Sequence, residues 1–520
     1  MEGHTVTAAD LPSALSVAAN PSQAHLRAWV AQMPNAAKTE FGNYNVQARV
    51  TARSAGSTFV VTDDPSRTAK PTMARAEYER VARRQDDYIR TADMVLVEGY
   101  IGPENSPMKR PARVYVERAN ANIPAMQQQL YYPKDADWRA ADALTVIYTP
   151  SCPAQGYPDD RLVAIDLDHW VTRVFSIDYF GESKMGGLRM WMEWAFQQGA
   201  LAMHAGAKVI PVDGGHRVAL IIGLSGTGKT TTTFTRQNGS LPVQDDIVAL
   251  VEGGGVFSTE NGCFAKTYGL DPRDEPTIHA ALASPEAWLE NVAVDEAGKV
   301  DFFDDSYTAN GRGTFALDAI EHFDPRKLGT ADFLLILNRA EHIAPAVARM
   351  TSVEQAVAYF MLGETKGTSA GGTAEAGKRL RVPGTNPFFL GHEFLQGNRL
   401  GELIRSMDYD FGVHVLNTGR VGGDEDVPGS KKVGIAHSSA IVKAIAEDTV
   451  TWERDPDFGY FVAADVPSFP DPEILQPRRL YQAQGRSEEY EDLVRTLKQE
   501  RRAYLAGHAG LDPAVVDALG

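Results

Sequence analysis

The stretch Arg217-Val218-Ala219-Leu220-Ile221-Ile222-Gly223-Leu224-Ser225-Gly226-Thr227-Gly228-Lys229-Thr230-Thr231 decides the fold. An apolar run of strand length leads straight into residues 223–230, which satisfy G-x-x-x-x-G-K-[ST]. In that context the spacing makes a phosphate cradle. Gly223, Gly226 and Gly228 let successive backbone N–H groups turn inward, with Leu224, Ser225, Thr227 and Thr231 completing the loop. Lys229 reaches the terminal phosphates, and Thr230 offers its hydroxyl to a divalent ion. An α/β architecture with a nucleoside triphosphate site is expected.

Working outward, the short segment 231–237 leaves room for barely two helical turns before the apolar residues 241–244 and the pair Asp245-Asp246. Carboxylates at a strand end beside a phosphate loop suit a metal ion. P-loop proteins of Rossmann-like build place a longer helix between loop and acid, so this chain is an atypical member of the class. Residues 207–212 and 217–223 read as strands, as do 241–245, 247–252, 255–258 and 331–337, while 353–362 reads as a helix. Towards the N-terminus, 11–19 and 24–32 read as helices, and 75–91 as a charged helix. Segments 45–53, 58–62, 94–101, 113–118, 144–149 and 161–166 read as strands of a mixed sheet, and 186–204 as a buried helix. Residues 487–505 have the acidic start and basic end of an amphipathic helix. Asp213-Gly214-Gly215 marks the expected boundary between an N-terminal substrate-binding domain, 1–214, and a strand-rich nucleotide-binding domain, 215–520. Residues 363–385, rich in Gly, Thr and Ala and without periodicity, are expected to form an active-site lid.

The 520 residues carry a net charge of −17, which argues against nucleic acid or an anionic membrane surface as partners. No run approaches the roughly 18 apolar residues of a membrane span. The first residues lack the basic and apolar regions of a signal peptide. Cys152 and Cys263 are widely separated, without metal-binding spacing, and are expected to be reduced thiols in a cytoplasmic protein.

Further segments extend the pattern. GLSGTGKTT and DD are followed by NGCFAKT at 261–267 and DEPTI at 274–278; YFGESKMGG at 179–187 precedes Met203-His204. ENVAVDEAGKVDFFDDSYTANGR occupies 290–312, and LNTGR occupies 416–420. In order and spacing these resemble the ATP-dependent phosphoenolpyruvate carboxykinases over roughly residues 45–505. The resemblance implies the two-domain α/β fold of that family, ATP with Mg²⁺ and Mn²⁺ as cofactors, and a gluconeogenic lyase that decarboxylates oxaloacetate and phosphorylates the enolate. It implies that Lys229, Thr230 and Lys266 serve the phosphates, Glu275 the ribose, and Arg379 and Thr385 the lid side of the nucleotide. Arg53, Tyr179 and Arg312 would hold the acceptor, and His204 and Asp246, with Asp245 and Thr230 nearby, the metals.

The family's third ligand to the second metal is a lysine, and the ungapped match puts Met185 there, with Lys184 one position earlier. A thioether is a poor ligand for Mg²⁺ or Mn²⁺. Three readings stay open: Lys184 substitutes through a local register shift, the second metal is held more weakly, or the reaction has changed. The alternatives to a carboxykinase are therefore a kinase of the same fold acting on another small anionic acceptor, and a non-catalytic nucleotide-binding regulator.

Overall fold

The central strand of the C-terminal sheet, Gly215–Ile222, is buried over its last five residues because both of its faces are covered. Val218, Leu220 and Ile222 join Leu334, Ile336, Val413 and Val415 in one core, which includes the helix Val353–Leu362; Ala219 and Ile221 join Leu335, Leu337 and Leu416 on the other face, under the helix Ile435–Ala446. This is the period-2 alternation of a strand sandwiched between helices. The computed structural model describes residues 11–224, 226–366 and 378–519, and Ser225 and much of the expected lid lie outside them.

The chain divides into two units, one built from residues up to Gln198 with Phe257–His322 and Phe388–His392, the other from Gly199–Val256, Phe323–Pro387 and residues from Glu393 onward. In the second unit an eight-stranded sheet runs Leu241–Gln244, Ala205–Val212, Gly215–Ile222, Phe333–Asn338, Gly412–Asn417, Val347–Arg349, Phe461–Asp465, Thr451–Arg454. Its three middle strands are parallel, and their C-terminal ends gather at the phosphate loop.

The first unit holds a nine-stranded mixed sheet in which Arg110–Glu117, Leu144–Thr149 and Val171–Phe175 lie side by side in parallel. Ile147 and Val171 pack in the cluster that contains Ile89 of the helix Arg75–Ile89, whereas Val146 and Thr172 on the opposite face meet Gly186 of the helix Phe180–Gln197. A Cβ on Gly186 would approach both Val146 methyls to 3.2 Å, so glycine there is what lets this helix lie flat on the sheet. A second, five-stranded sheet pairs Gly262–Lys266, Arg312–Ala316, Trp288–Glu290, Tyr44–Val46 and Ala36–Lys38.

Two sequence readings are corrected. Ser16–Ala19 is a strand, not part of a helix; it pairs in parallel with Asp93–Leu96, and that ladder outweighs the weak helical preference of Ser-Val-Ala-Ala. The expected boundary at 213–215 is instead a two-residue hairpin turn at Asp213-Gly214 within the second unit's sheet, closing on the pair Val212 and Gly215, with Gly214 at φ +83°. The units part at Gln198, and residues 257–322 return to the first unit. No described helix is long and apolar enough to cross a membrane.

Candidate functional site

The phosphate loop is shaped by backbone conformation. Gly226 and Gly228 have φ of +86° and +90°, and Gly228 caps the short helix Lys229–Phe234, so the N–H groups at its first turn have no carbonyl one turn back. A Cβ on Gly223 would stand 2.3 Å from the Thr227 hydroxyl oxygen. The ends of the neighbouring parallel strands hold the loop: the Thr418 hydroxyl donates to the Thr227 carbonyl at 2.8 Å, and Arg339 Nη1 to the Gly226 carbonyl at 3.3 Å. At the far end of the helix, buried Lys208 donates to the carbonyls of Thr232 and Thr235.

Lys229 Nζ lies 2.8 Å from Asp245 Oδ1 and 3.4 Å from Asp246 Oδ1, and the Thr230 hydroxyl donates to Asp245 Oδ2 at 2.6 Å. Asp246 has φ +108°, a conformation that costs an aspartate on the order of 1–3 kcal/mol and that aims its carboxylate at His204. His204 Nδ1 is 2.9 Å from the Thr385 carbonyl, so that nitrogen carries the proton and donates. Its Nε2 then presents a lone pair 2.9 Å from Asp246 Oδ1. Burial, with Lys229 nearby, holds the imidazole below its ordinary pKa and keeps it neutral. A neutral imidazole nitrogen and a carboxylate oxygen converging at this distance, with the ring fixed from behind by a carbonyl, are a donor set that fits a divalent cation.

The first unit carries an anion-binding arrangement. In the five-stranded sheet Lys266, Arg312 and Glu290 stand directly opposite one another across three strands, and so on one face. Arg312 lies over Phe264 and donates to Asn310 Oδ1 at 2.9 Å; Asn310 in turn donates to the Tyr179 hydroxyl at 3.4 Å. Burial, with Arg312 beside it, holds Lys266 below the ordinary lysine range. Burial raises Glu290 to about 8, so it is protonated at neutral pH. Arg53 is surface-exposed, stacks over Phe388 at 4.9 Å, and makes no hydrogen bond to the described residues. The backbone N–H of the next residue, Ser54, donates to Glu182 at 2.8 Å, which ties this loop to the helix Phe180–Gln197.

The family model for phosphoenolpyruvate carboxykinase matches residues 15–472 of the chain. The chain belongs to the phosphoenolpyruvate carboxykinase family. It is 30% identical over 496 residues to phosphoenolpyruvate carboxykinase (ATP) of Aeropyrum pernix, covering 88% of this chain and 92% of the relative. The protein of the same name from Geobacillus kaustophilus is 30% identical over 462 residues, 85% of this chain and 83% of the relative. Glycosomal phosphoenolpyruvate carboxykinase (ATP) of Trypanosoma cruzi is 29% identical over 392 residues, 73% and 80% of the two chains.

Within this carboxykinase fold, several residues expected from the sequence come together. Lys229, Thr230, Asp245, Asp246 and His204 converge in one unit, and Tyr179 and Arg312 are joined through Asn310 in the other. Glu275 is the N-cap residue of the helix Pro276–Leu282, in the same unit as Lys266. The Thr385 hydroxyl is buried without a partner among the described residues, and the Thr385 carbonyl accepts from His204. Arg379 is exposed on the strand Arg379–Arg381, in the field of Asp424. Lys184 and Met185 share the helix Phe180–Gln197. The helix runs unbroken from Phe180 to Gln197, Lys184 is turned roughly 100° from Met185, and its ammonium pairs with buried Glu260 at 2.9 Å. The sequence reading missed Thr418, Arg339, Asn310, Glu182 and Glu290. Asn310, Thr418, Glu182 and Glu290 all lie inside quoted motifs, where the two glutamates gain meaning only from packing; Arg339 lies outside them.

Proposed function

We propose that the protein converts oxaloacetate and ATP to phosphoenolpyruvate, ADP and CO₂, in the cytoplasm and with no nucleic acid or membrane partner. The observation that carries this reading is the union of a phosphate loop with the acid pair Asp245-Asp246 and the His204–Asp246 donor set in one unit. The anion-binding row of the other unit, with Tyr179 and Arg53, supplies the complementary chemistry for a small dicarboxylate; guanidinium forks and ammonium groups suit carboxylate and phosphate. The C–C bond to the leaving carboxylate breaks, its electron pair passes into the enolate, and the enolate oxygen displaces ADP from the γ-phosphorus. A bound divalent ion, Mg²⁺ or Mn²⁺, supplies Lewis-acid stabilisation of phosphate or enolate oxygens. Lys229 and Lys266 hold charge that develops on the phosphoryl oxygens, Arg312 and Arg53 orient the acceptor, and Glu275 meets the nucleotide ribose. Thr230 and Asp245 would hold the nucleotide's ion, and His204 and Asp246 the second.

A second reading, a kinase of this fold with another anionic acceptor, is favoured by Met185 alone. Incubation with ATP, oxaloacetate and saturating Mg²⁺ plus Mn²⁺ decides between them: phosphoenolpyruvate and CO₂ should form in equal amounts. Slow ATP hydrolysis with no phosphoenolpyruvate would hand the case to the second reading. For the ion, His204→Phe should weaken Mn²⁺ binding by about 10- to 100-fold, followed by the electron-spin resonance of free Mn²⁺; unchanged binding would remove His204 from the site.

A further inference from the structure

The helix Phe180–Gln197 carries Glu182, Met185 and Arg189 at spacings of three and four, which puts the three on one stripe. Met185 offers no charge and no hard donor. One turn on, Arg189 does offer charge: it is buried, donates through Nη1 to Glu182 Oε2 at 2.9 Å, and lies 6.0 Å from the Phe388 ring that Arg53 also covers. Arg53 stands in the field of Glu182, Arg189, Tyr179 and Arg312.

An arginine buried only to neutralise a carboxylate takes a different form in this same protein. Arg501 binds Glu364 through both Nε and Nη2, with contacts of 2.7 to 3.1 Å, and the same carboxylate also receives Arg381. Arg189 gives Glu182 a single N–H. Its Nε and Nη2 have no acceptor among the described residues and are not sealed from solvent. Glu182 meanwhile takes the Ser54 N–H on its other oxygen, so the one carboxylate fixes both Arg189 and the loop that carries Arg53.

Building on the carboxykinase reading, we propose that Arg189 is an anion-binding, specificity-determining residue: with Arg53 it grips one anionic group of the acceptor, a small dicarboxylate or its enol phosphate, supplying from the next turn the positive charge that Met185 does not. Glu182 is the positioning residue for both arginines. The acceptor is selected for carrying a second anionic group, because one such group is needed at Arg312 and another at the Arg53–Arg189 pair.

Phosphoenolpyruvate itself is the probe, titrated calorimetrically into the full-length wild type, Arg189→Gln and Arg189→Lys, with Mg·ATP binding and the thermal midpoint measured alongside. Losing one charge-assisted, partly buried contact should weaken phosphoenolpyruvate binding by about 10- to 100-fold in Arg189→Gln, with Arg189→Lys between the two and Mg·ATP affinity unchanged. Because Arg189→Gln strands Glu182, the double variant Glu182→Gln/Arg189→Gln is measured too, and the same selective loss is expected there. Phosphoenolpyruvate binding as tight as wild type in either Gln variant overturns the proposal, and so does an equal loss of both ligands with a falling midpoint, which marks a structural role. A wild type that binds phosphoenolpyruvate but turns over no oxaloacetate sinks the carboxykinase reading while leaving this one standing; a wild type that does not bind it sinks both.

Discussion

Lys229→Met should lower kcat for phosphoryl transfer by about 10²- to 10³-fold, the scale seen when one preorganised donor to a developing oxyanion is removed. Methionine, one heavy atom shorter and unbranched, keeps most of the fill of a site only 6% exposed, so the loss reports mainly charge rather than volume. A second effect runs in the same direction. Asp245 loses the ammonium 2.8 Å from Oδ1, and two adjacent carboxylates remain where phosphate must enter. ATP affinity should therefore fall together with kcat, and added Mg²⁺ should recover binding better than rate. Stopped-flow single turnovers separate the two, and a single-turnover rate within tenfold of wild type would remove Lys229 from the chemistry.

The pH dependence of stability should carry the mark of Glu290. Burial raises this carboxyl from 4.5 to about 8, and one of its oxygens is sealed without a partner. Between those values the folded protein holds a proton that the unfolded chain has released, so stability falls as pH rises. The contribution is fully present below pH 4.5 and lost once the pH passes about 8. At about 1.4 kcal/mol per unit the loss amounts to roughly 5 kcal/mol at most. Glu290→Gln keeps an acceptor for the Phe180 N–H, now at 2.9 Å, and abolishes the titration. Urea midpoints from pH 5 to 9 should decline more steeply for wild type than for the variant, and parallel curves would show that Glu290 does not titrate in this range. Ionised Glu290 also stands opposite Arg312 in the strand register, so the KM for phosphoenolpyruvate should rise above pH 8 in wild type but not in Glu290→Gln.

Much of the second unit was legible because its signals are local. The strand into the loop, the two-turn helix after it and the helix Val353–Leu362 each follow from contiguous apolar runs and their breakers. Asp213-Gly214 shows where locality misleads: the dipeptide signals a hairpin as strongly as a linker, and only the pairing of Val212 with Gly215 tells them apart. The row Lys266, Arg312, Glu290 was harder still. Its members come from three strands whose register is set by packing, so no spacing along the chain announces them. Arg189 was hidden differently, inside Leu188-Arg189-Met190-Trp191, where a buried charge interrupts an apolar pattern without changing it. Thr385 acts through its carbonyl, a group every residue has, and side-chain reading cannot single it out.

The chain passes from one unit to the other five times, at 198/199, 256/257, 322/323, 387/388 and 392/393. During synthesis this imposes an order. The strand Tyr44–Val46 can pair early with Ala36–Lys38, but its other edge waits for Trp288–Glu290 to emerge, and the first unit lacks its last segment until residue 392 has left the ribosome. Long-range closures of this kind are slow and leave unpaired strand edges exposed meanwhile. Neither unit can be excised as one continuous piece of the gene, and a chain stopped early leaves both unfinished rather than one whole and one missing.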